Sequence, residues 1–469
     1  MNVFVKSMMM ALLCVLAWSA FSRAAVAAPV PMRGVIEGFY GTPWTEAERL
    51  DIIAFCKEHG FNAYVYAPKD DLYHRERWRE PYPKEELDDL AKLIAAAKAD
   101  GVRFVFAVSP GLSLHLDGKD PAADRAAMLA KLESLYKLGV RDFAIFFDDI
   151  ENKDGAGQAA FLNAISGELH RRHKDIGALL TVPTEYDRGV MTDAEGNATP
   201  YTAAFAQHLS KDIVVLYTGE GVAKGRLTRE QLDTANALYH RQLGLWWNYP
   251  VNDYAETKLA LGPMDPLPLA DVPVILYNPM KYERLSKIAL ATGADLACDS
   301  AHYDAETSWQ HAIRDQYGDL APAMQIFADH STHLENDWAD IGRADAPQMR
   351  KAVDGLLAAL DQDAPVPVKL QRLRTLDDDL VQLQAAVETL QTRLDPATLQ
   401  ECQPQLAQLN RIVTADRLAL KLLRQQLAGT PIDLAPLAVA RQDIVAHEQE
   451  AHISDNVARL CLDEIVNRL

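Results

Sequence analysis

Short apolar runs alternate with longer amphipathic segments along the first part of the chain. The run at residues 143–147 has five apolar residues in succession, which indicates a strand buried on both faces. Similar runs recur, and segments with helical periodicity separate them. The eight predicted strands are residues 33–40, 63–67, 104–108, 143–147, 178–182, 213–217, 244–247 and 274–277.

The segments between these runs carry helix boundary signals. Thr45 and Glu48 have the spacing of a capping box, and their helix is predicted to end at Gly60. Pro83 opens the next helix. Eight strands alternating with helices predict an α/β fold, a (β/α)₈ TIM barrel, over residues 28–317. An open doubly wound sheet is the alternative, but bulky aromatic residues replace its usual glycine-rich phosphate turn after the first strand.

The strand signal ends near residue 318, and the remaining pattern is helical. Apolar residues recur at three- and four-residue steps from Leu373 to Leu394, which indicates a helical seam. Asp395 and Pro396 cap and open the following helix. Residues 318–469 are therefore predicted to form an all-α helical bundle domain. We interpret the seam as intrachain core, with a dimeric coiled coil as the alternative, so the oligomeric state stays open.

The N-terminus has the pattern of a secretory signal peptide over residues 1–27. Lys6 precedes a mostly apolar stretch at residues 8–21, and Ala25-Val26-Ala27 forms a cleavage site. This pattern predicts a secreted or periplasmic protein without stable membrane insertion; a retained N-terminal anchor is the alternative. The four cysteines that follow show no C-x-x-C spacing, so no zinc or redox motif is indicated.

The composition narrows the classes of partner. The chain has 469 residues, 49% of them hydrophobic and 24% charged, as in an ordinary globular protein. Its formal charge of −19 repels phosphate backbones, so a nucleic-acid partner is not expected. The same charge argues against a polyanionic substrate.

Polar and aromatic residues follow most of the predicted strands. Barrel enzymes build their sites at the carboxyl ends of strands, so these side chains are predicted to converge. Aromatic walls, amides, one lysine and several carboxylates suit a neutral, hydroxyl-rich ligand such as a sugar. Each residue taken singly has a turn or helix cap as its alternative role. The candidates are Gly38, Phe39, Tyr40, Gly41, Lys69, Asp70, Asp71, Asp148, Asp149, Thr184, Glu185, Tyr186, Trp246, Trp247, Asn248, Asp253 and Asn278.

A metal site is the alternative interpretation of the acidic residues. Asp148, Asp149 and Glu151 could hold Mg²⁺ or Ca²⁺, but no phosphate-binding loop lies beside them, which favours acid/base chemistry. His170 and His173 have i,i+3 spacing without a third ligand and are predicted to lie on a solvated helix face. No metal or cofactor is expected.

Five separated motifs resemble glycoside hydrolase family 84, the β-N-acetylglucosaminidases that include O-GlcNAcase and its bacterial relatives. They follow the same order over about residues 33–315. The resemblance implies a retaining mechanism in which the 2-acetamido oxygen of the substrate attacks the anomeric carbon and forms an oxazoline. The motifs occupy residues 34–44, 66–71 with 73–75 and 78–82, 147–150, 246–250, and Asp253.

The resemblance implies different catalytic roles for the two adjacent aspartates. Asp148 would orient and polarise the acetamido N–H, and Asp149 would protonate the leaving oxygen and then activate water. Two neighbouring carboxylates are expected to raise one pKa, which serves this division. Successive strand residues point to opposite faces, so both side chains reach one sugar only if the backbone turns where the strand ends.

The resemblance also implies a set of sugar-binding residues. Tyr186 would hydrogen-bond the acetamido group, Trp246 would line its pocket, and Tyr40 would form the rim. Glu151 stands where the family has Asp, and Tyr217 where it has Trp, so the shape of the acetamido pocket stays open. The residues expected to hold the sugar hydroxyls are Lys69, Asn248, Asp253, Asn278 and the backbone at Gly38.

These observations predict an exo-acting β-N-acetylglucosaminidase acting on terminal β-linked GlcNAc of a glycoconjugate or oligosaccharide. A sugar-binding homologue without catalysis is one alternative, although both carboxylates are present. A glycosidase acting on peptidoglycan or glycosaminoglycan fragments is another, and the negative charge argues against hyaluronan. The group attached to GlcNAc stays open.

Overall fold

A computed structural model describes residues 28–116 and 121–469. The predicted signal peptide, residues 1–27, lies outside this part of the chain. Each of the first seven strands pairs in parallel with the next, and the eighth pairs with the first, so the sheet closes into a barrel. The predicted TIM barrel is confirmed. Its strands are β1 (Met32–Glu37), β2 (Ala63–Tyr66), β3 (Arg103–Val108), β4 (Asp142–Phe146), β5 (Leu180–Val182), β6 (Val214–Tyr217), β7 (Gly244–Trp247) and β8 (Val274–Tyr277).

Helices pack outside this barrel. The capping box that opens the first helix is present, because Glu48 N donates to Thr45 Oγ1 at 3.3 Å and Thr45 N donates to Glu48 Oε2 at 2.7 Å. The helices are α1 (Glu46–Glu58), α2 (Lys84–Asp100), α3 (Pro121–Leu138), α4 (Gly155–Arg172), α5 (Arg188–Met191), α6 (Pro200–His208), α7 (Arg229–Tyr239), α8 (Glu283–Cys298) and α9 (Ala305–Tyr317).

Three strands, β1, β2 and β4, end earlier than predicted, and the ends of β1 and β4 matter for the site. β1 ends at Glu37 because Gly38 N turns back to the Ile36 carbonyl at 2.9 Å. β4 ends at Phe146, one residue before the predicted end. The residues that follow leave the sheet and carry their side chains to the mouth of the barrel.

Side chains fill the interior of the barrel. Ile36, Val65 and Val105 point inward from three neighbouring strands and are fully buried. Trp246 closes the carboxyl end of this core and meets Phe146 edge to face, with ring centroids 5.4 Å apart. The barrel is therefore a packed core, and a ligand must bind above Trp246.

The region after the barrel is helical, apart from a short hairpin that the sequence pattern did not predict. The predicted seam from Leu373 is buried within the chain, and Asp395 caps the next helix. This region comprises a 3₁₀ turn (Gly318–Leu320), α10 (Ala321–Asp329), the antiparallel strands β9 (Leu334–Glu335) and β10 (Asp340–Ile341), α11 (Pro347–Asp361), α12 (Val366–Arg393), α13 (Pro396–Leu427), α14 (Ala435–Ala446), a π-helical turn (Asp455–Arg459) and α15 (Leu460–Val466).

The connection between β7 and β8, residues 248–273, packs against the C-terminal region. Tyr249 Oη donates to the Thr332 carbonyl at 2.9 Å. Further along the connection, the Thr257 carbonyl accepts from His452 N, also at 2.9 Å. The C-terminal region thus holds the longest connection at the carboxyl end of the barrel.

No helix within residues 28–116 and 121–469 combines the length and apolar character needed to cross a membrane. The cysteines in these ranges are free thiols. Three of them, Cys56, Cys402 and Cys461, are buried, and Cys298 is partly exposed.

Candidate active site

A cavity of about 500 Å³ opens at the carboxyl end of the barrel. Its volume and mixed polar and aromatic lining suit one sugar-sized ligand. The ten site residues predicted from sequence all line this cavity. They are Gly38, Tyr40, Lys69, Asp148, Asp149, Tyr186, Trp246, Asn248, Asp253 and Asn278.

The backbone turns at the adjacent aspartates. Asp149 has φ = 55°, in the left-handed region that non-glycine residues rarely occupy. This turn follows the end of β4 directly. It brings Asp148 and Asp149 to the same cavity although they are neighbours in sequence.

Asp148 is paired with a buried cation. Its Oδ2 accepts a hydrogen bond from Lys69 Nζ, and the Lys69 side chain is only 2% exposed. The other oxygen, Oδ1, is buried and accepts no hydrogen bond from the described residues. A buried acceptor without a donor is costly, so Oδ1 is ready to accept an N–H or O–H from a ligand.

Asp149 is held by two phenols. Tyr40 Oη donates to Oδ2 at 2.7 Å, and Tyr186 Oη donates to Oδ1 at 2.8 Å. Burial by itself raises the pKa of this carboxyl. The charge of Lys69 and the two hydrogen bonds outweigh burial, so the pKa of Asp149 lies below its ordinary value. The shift is opposite to the rise that adjacent carboxylates were expected to produce.

The amides form a connected network on one side of the cavity. Asn278 Oδ1 accepts from Gly38 N at 3.2 Å, and Asn278 Nδ2 donates to Asn248 Oδ1 at 3.0 Å. Trp246 Nε1 donates to the same Asn248 oxygen at 2.8 Å. A Cβ on Gly38 would lie 2.4 Å from the Trp246 ring, so only glycine allows this close approach.

Asp253 lines the cavity from the loop after β7. Its Oδ2 accepts from Tyr40 N at 2.8 Å, which ties the loop after β1 to the loop after β7. Burial raises the pKa of Asp253, and the nearby Asp149 charge adds to the rise.

Several lining residues were not predicted. Trp338, in the turn between β9 and β10, lies outside the barrel, and its ring centroid is 4.7 Å from that of Tyr254. Trp338 is 44% exposed, so it stands at the solvent side. The available sequence signal was a tryptophan that directly follows two polar residues. The unpredicted lining residues are Val182, Thr218, Val222, Val251, Tyr254 and Trp338.

Other sequence candidates lie outside the cavity. Glu185 is buried behind Tyr186, where it accepts from Lys153 Nζ at 2.9 Å and from Thr202 Oγ1 at 2.8 Å. Asp71 accepts the hydroxyls of Tyr66 and Tyr82, each at 2.7 Å. Both carboxylates brace loops and do not face a ligand.

The two departures from the family pattern also lie away from the cavity lining. Glu151 is exposed. Tyr217 is buried, and its hydroxyl donates to Glu220 Oε1 at 3.2 Å, while the neighbouring Thr218 lines the cavity.

Two family models match the chain, one over the barrel and one over the helical region. The family model described as beta-N-acetylglucosaminidase matches residues 33–329, which include every strand of the barrel except the first residue of β1. The chain belongs to the β-N-acetylglucosaminidase family. A second family model, described as hyaluronidase post-catalytic domain-like, matches residues 348–460 of this family member.

Curated relatives of this β-N-acetylglucosaminidase family member include Protein O-GlcNAcase of Rattus norvegicus and of Mus musculus. Each is 33% identical over 237 residues, which is 49% of this chain and 25% of the relative. The chain thus aligns with only about a quarter of the length of these relatives.

Solved structures of similar proteins extend the match into the helical region. CpGH84B superimposes on this chain with a TM-score of 0.86 at 37% sequence identity. The superposition covers 93% of this chain and 77% of CpGH84B. A mutant O-GlcNAc hydrolase of Thermobaculum terrenum superimposes with a TM-score of 0.80 at 27% identity, covering 93% and 94%. The barrel and the helices that follow it therefore recur together.

Proposed function

We propose that the chain is an exo-acting, retaining β-N-acetylglucosaminidase that removes terminal β-linked GlcNAc by substrate-assisted catalysis. The observation that carries the proposal is the unpartnered, buried Oδ1 of Asp148 beside a phenol-bound Asp149. One oxygen is free to accept the acetamido N–H, while the adjacent carboxyl can serve the glycosidic oxygen. The substrate is a GlcNAc-bearing glycoconjugate or oligosaccharide.

In the first step, the acetamido oxygen forms a bond to the anomeric carbon while the bond to the leaving oxygen breaks. Asp149 gives its proton to that oxygen. Asp148, held by Lys69, accepts the acetamido N–H and stabilises the positive charge that develops on the ring being formed. The product of this step is the oxazoline in its N-protonated form, an oxazolinium ion whose N–H stays hydrogen-bonded to Asp148.

In the second step, water attacks the anomeric carbon and gives its proton to Asp149. The bond from the anomeric carbon to the oxazoline oxygen breaks, and the acetamide is restored. Two displacements at one carbon retain its configuration. The hydrogen bonds from Tyr40 and Tyr186 favour the ionised Asp149 that this step requires.

The proposal is tested with 4-nitrophenyl β-GlcNAc analogues whose acetamido group carries zero to three fluorines. Fluorine withdraws electrons from the carbonyl oxygen, so kcat/KM should fall steadily across the series. Proton NMR of the first product should show β-GlcNAc before it equilibrates.

A kcat/KM that does not change with the number of fluorines would contradict substrate assistance. Release of α-GlcNAc as the first product would contradict retention. 4-Nitrophenyl β-GalNAc is the matched comparator for recognition of the sugar. Binding of GlcNAc without any turnover would identify a sugar-binding protein instead.

A further inference from the structure

Arg75 lies outside the cavity lining but contacts the groups that hold the proposed acid/base residue. Its Nη1 donates to the Tyr40 hydroxyl at 3.0 Å, and its guanidinium carbon lies 5.3 Å from the centre of that ring. Tyr40 in turn donates to Asp149 Oδ2 at 2.7 Å. Arg75 Nη2 also reaches the main-chain carbonyl oxygen of Asp149, at 3.5 Å. Arg75 therefore contacts Asp149 by a side-chain route and a main-chain route.

The backbone next to Arg75 is fixed by the end of β3. His74 is completely buried, with Nδ1 2.7 Å from the Ala107 carbonyl oxygen and Nε2 3.1 Å from Ser109 Oγ. Ser109 N donates to the His74 carbonyl at 2.9 Å. The guanidinium thus extends from an anchored point, which lowers the entropy cost of holding it over Tyr40.

The main chain of Asp149 needs such support. Asp149 has φ = 55°, and a non-glycine residue in this left-handed region is strained and persists where its surroundings hold it. The carbonyl that Arg75 reaches belongs to this residue. A change of that φ would turn the carboxyl away from the cavity.

The charge of Arg75 is also available to Asp149. Lys69 is paired with Asp148, whereas the ion pairs formed within the described residues do not include Arg75. The other groups that face Asp149 are the carboxylates Asp148 and Asp253 and the hydroxyls of Tyr40 and Tyr186. Arg75 is thus the cation near Asp149 that lacks a carboxylate partner among these residues.

We propose that Arg75 is a positioning residue for the acid/base carboxylate, which it holds in place through Tyr40 and through the main chain of Asp149. The inference rests on the proposed function. Arg75 also favours the ionised carboxylate that activates water, because its positive charge stabilises the negative one. Loss of Arg75 should therefore impair protonation of the leaving oxygen by misplacing Asp149, and should shift the titration of Asp149 upward.

The test compares Arg75→Gln and Arg75→Lys with Arg77→Gln in the full chain. Arg77 is a matched control because it pairs with Glu80 at the surface and is 45% exposed. For a poor alkyl leaving group, kcat/KM of Arg75→Gln should fall about tenfold, since small misplacements of a catalytic group have large effects. Activated aryl glycosides should fall much less. Competitive inhibition by GlcNAc should stay unchanged, because Arg75 does not line the cavity.

The pH profile separates positioning from a general loss of structure. The alkaline limb of kcat/KM for the poor leaving group should move to higher pH by about half a unit in Arg75→Gln. Arg75→Lys keeps the positive charge but loses the planar guanidinium group. Its kcat/KM for the poor leaving group should therefore fall, while the alkaline limb should stay at the parental pH. Arg77→Gln should match the parent in both measurements.

The inference would be overturned if the alkaline limb of the kcat/KM profile did not shift in Arg75→Gln. It would also be overturned if this variant lost kcat/KM equally on both substrate classes and bound GlcNAc more weakly. If circular dichroism shows that Arg75→Gln is unfolded, Arg75→Lys decides by the same comparison of leaving groups. Asp149→Ala, measured alongside, tests the proposed function separately. Equal losses for that variant on both substrate classes would reject the acid/base role itself, whatever Arg75 does.

Discussion

At the residue scale, two adjacent aspartates receive different surroundings. Asp148 meets the ammonium group of Lys69, while Asp149 meets two phenols. The phenols remain protonated at neutral pH, because burial and the nearby carboxylates raise the pKa of Tyr40 and Tyr186 well above the ordinary value. The proposed mechanism therefore gives the two carboxylates different tasks: Asp148 lies beside a cation, and Asp149, held by neutral donors, is the one proposed to gain and lose a proton.

Replacement of either aspartate should therefore have a different kinetic signature. Asp149→Ala should lower kcat/KM by about 10²- to 10⁴-fold for poor leaving groups and far less for activated aryl glycosides, which need little protonation. Asp148→Ala should abolish hydrolysis of both classes, because the nucleophile forms in both. Steady-state kinetics on the two substrates measures this, and equal losses in Asp149→Ala would contradict the assignment.

Most of the cavity lining could be predicted from sequence because it lies at the ends of barrel strands. Asp148 and Asn278 each follow an apolar run. This pattern indicates a polar residue at the carboxyl end of a barrel strand. The pKa of Asp149 could not be predicted, because it depends on burial, on the charge of Lys69 and on hydroxyls that come from two other loops. The sequence did not indicate that Val182 lines the cavity, because an apolar strand residue is expected to lie in the core.

At the element scale, the hairpin of β9 and β10 belongs to the active site although it follows the barrel in sequence. Asp340 N donates to the Ala223 carbonyl at 2.9 Å, and Gly225 N donates to the Asp340 carbonyl at 2.7 Å. These bonds dock the hairpin on the loop after β6 and place Trp338 at the rim. Strands of two residues each are too short for sequence periodicity to reveal, so a helical region was predicted there.

Trp338 should contribute to binding of the group attached to GlcNAc. Trp338→Ala should raise KM about tenfold for aryl and peptide substrates, since a lost aromatic contact costs about 1 kcal/mol or more. Methyl β-GlcNAc should be hydrolysed at nearly the parental kcat/KM. Leu434→Ala is the control, because Leu434 is 45% exposed and does not line the cavity. Equal effects on methyl and aryl substrates would contradict this role.

At the scale of the whole molecule, a partly buried carboxylate joins the helical region to the barrel. Glu401 on α13 accepts from the main-chain nitrogens of Arg284 and Leu285 in the first turn of α8, at 3.2 and 2.9 Å. Burial raises the pKa of Glu401 to about 7, and burial likewise raises the pKa of Glu283 to about 7. The junction therefore titrates near neutral pH, where ordinary carboxylates do not.

The stability of the junction should fall as pH rises. In the folded chain Glu401 binds its proton up to about pH 7, whereas an unfolded glutamate loses it near pH 4.5. This contribution to the free energy of unfolding is present at low pH and is lost as pH rises through 7. Glu401→Gln should remove about 1 to 2 kcal/mol of the decrease between pH 5 and 8.

Thermal denaturation at several pH values measures this dependence. Glu388→Gln is the control, because Glu388 is an exposed carboxylate on α12. If the parent and Glu401→Gln lose stability in parallel, the junction carboxylate does not control the pH dependence.

The anchoring of the connection after β7 has a consequence for synthesis of the protein. A ribosome releases residues 248–273 well before it has made Thr332, which holds Tyr249, or His452, which holds Thr257. A nascent chain with a finished barrel therefore lacks the supports of the loop that carries Asp253. Sugar binding should appear only after the last helices emerge, so a message truncated after the barrel should yield a chain without activity.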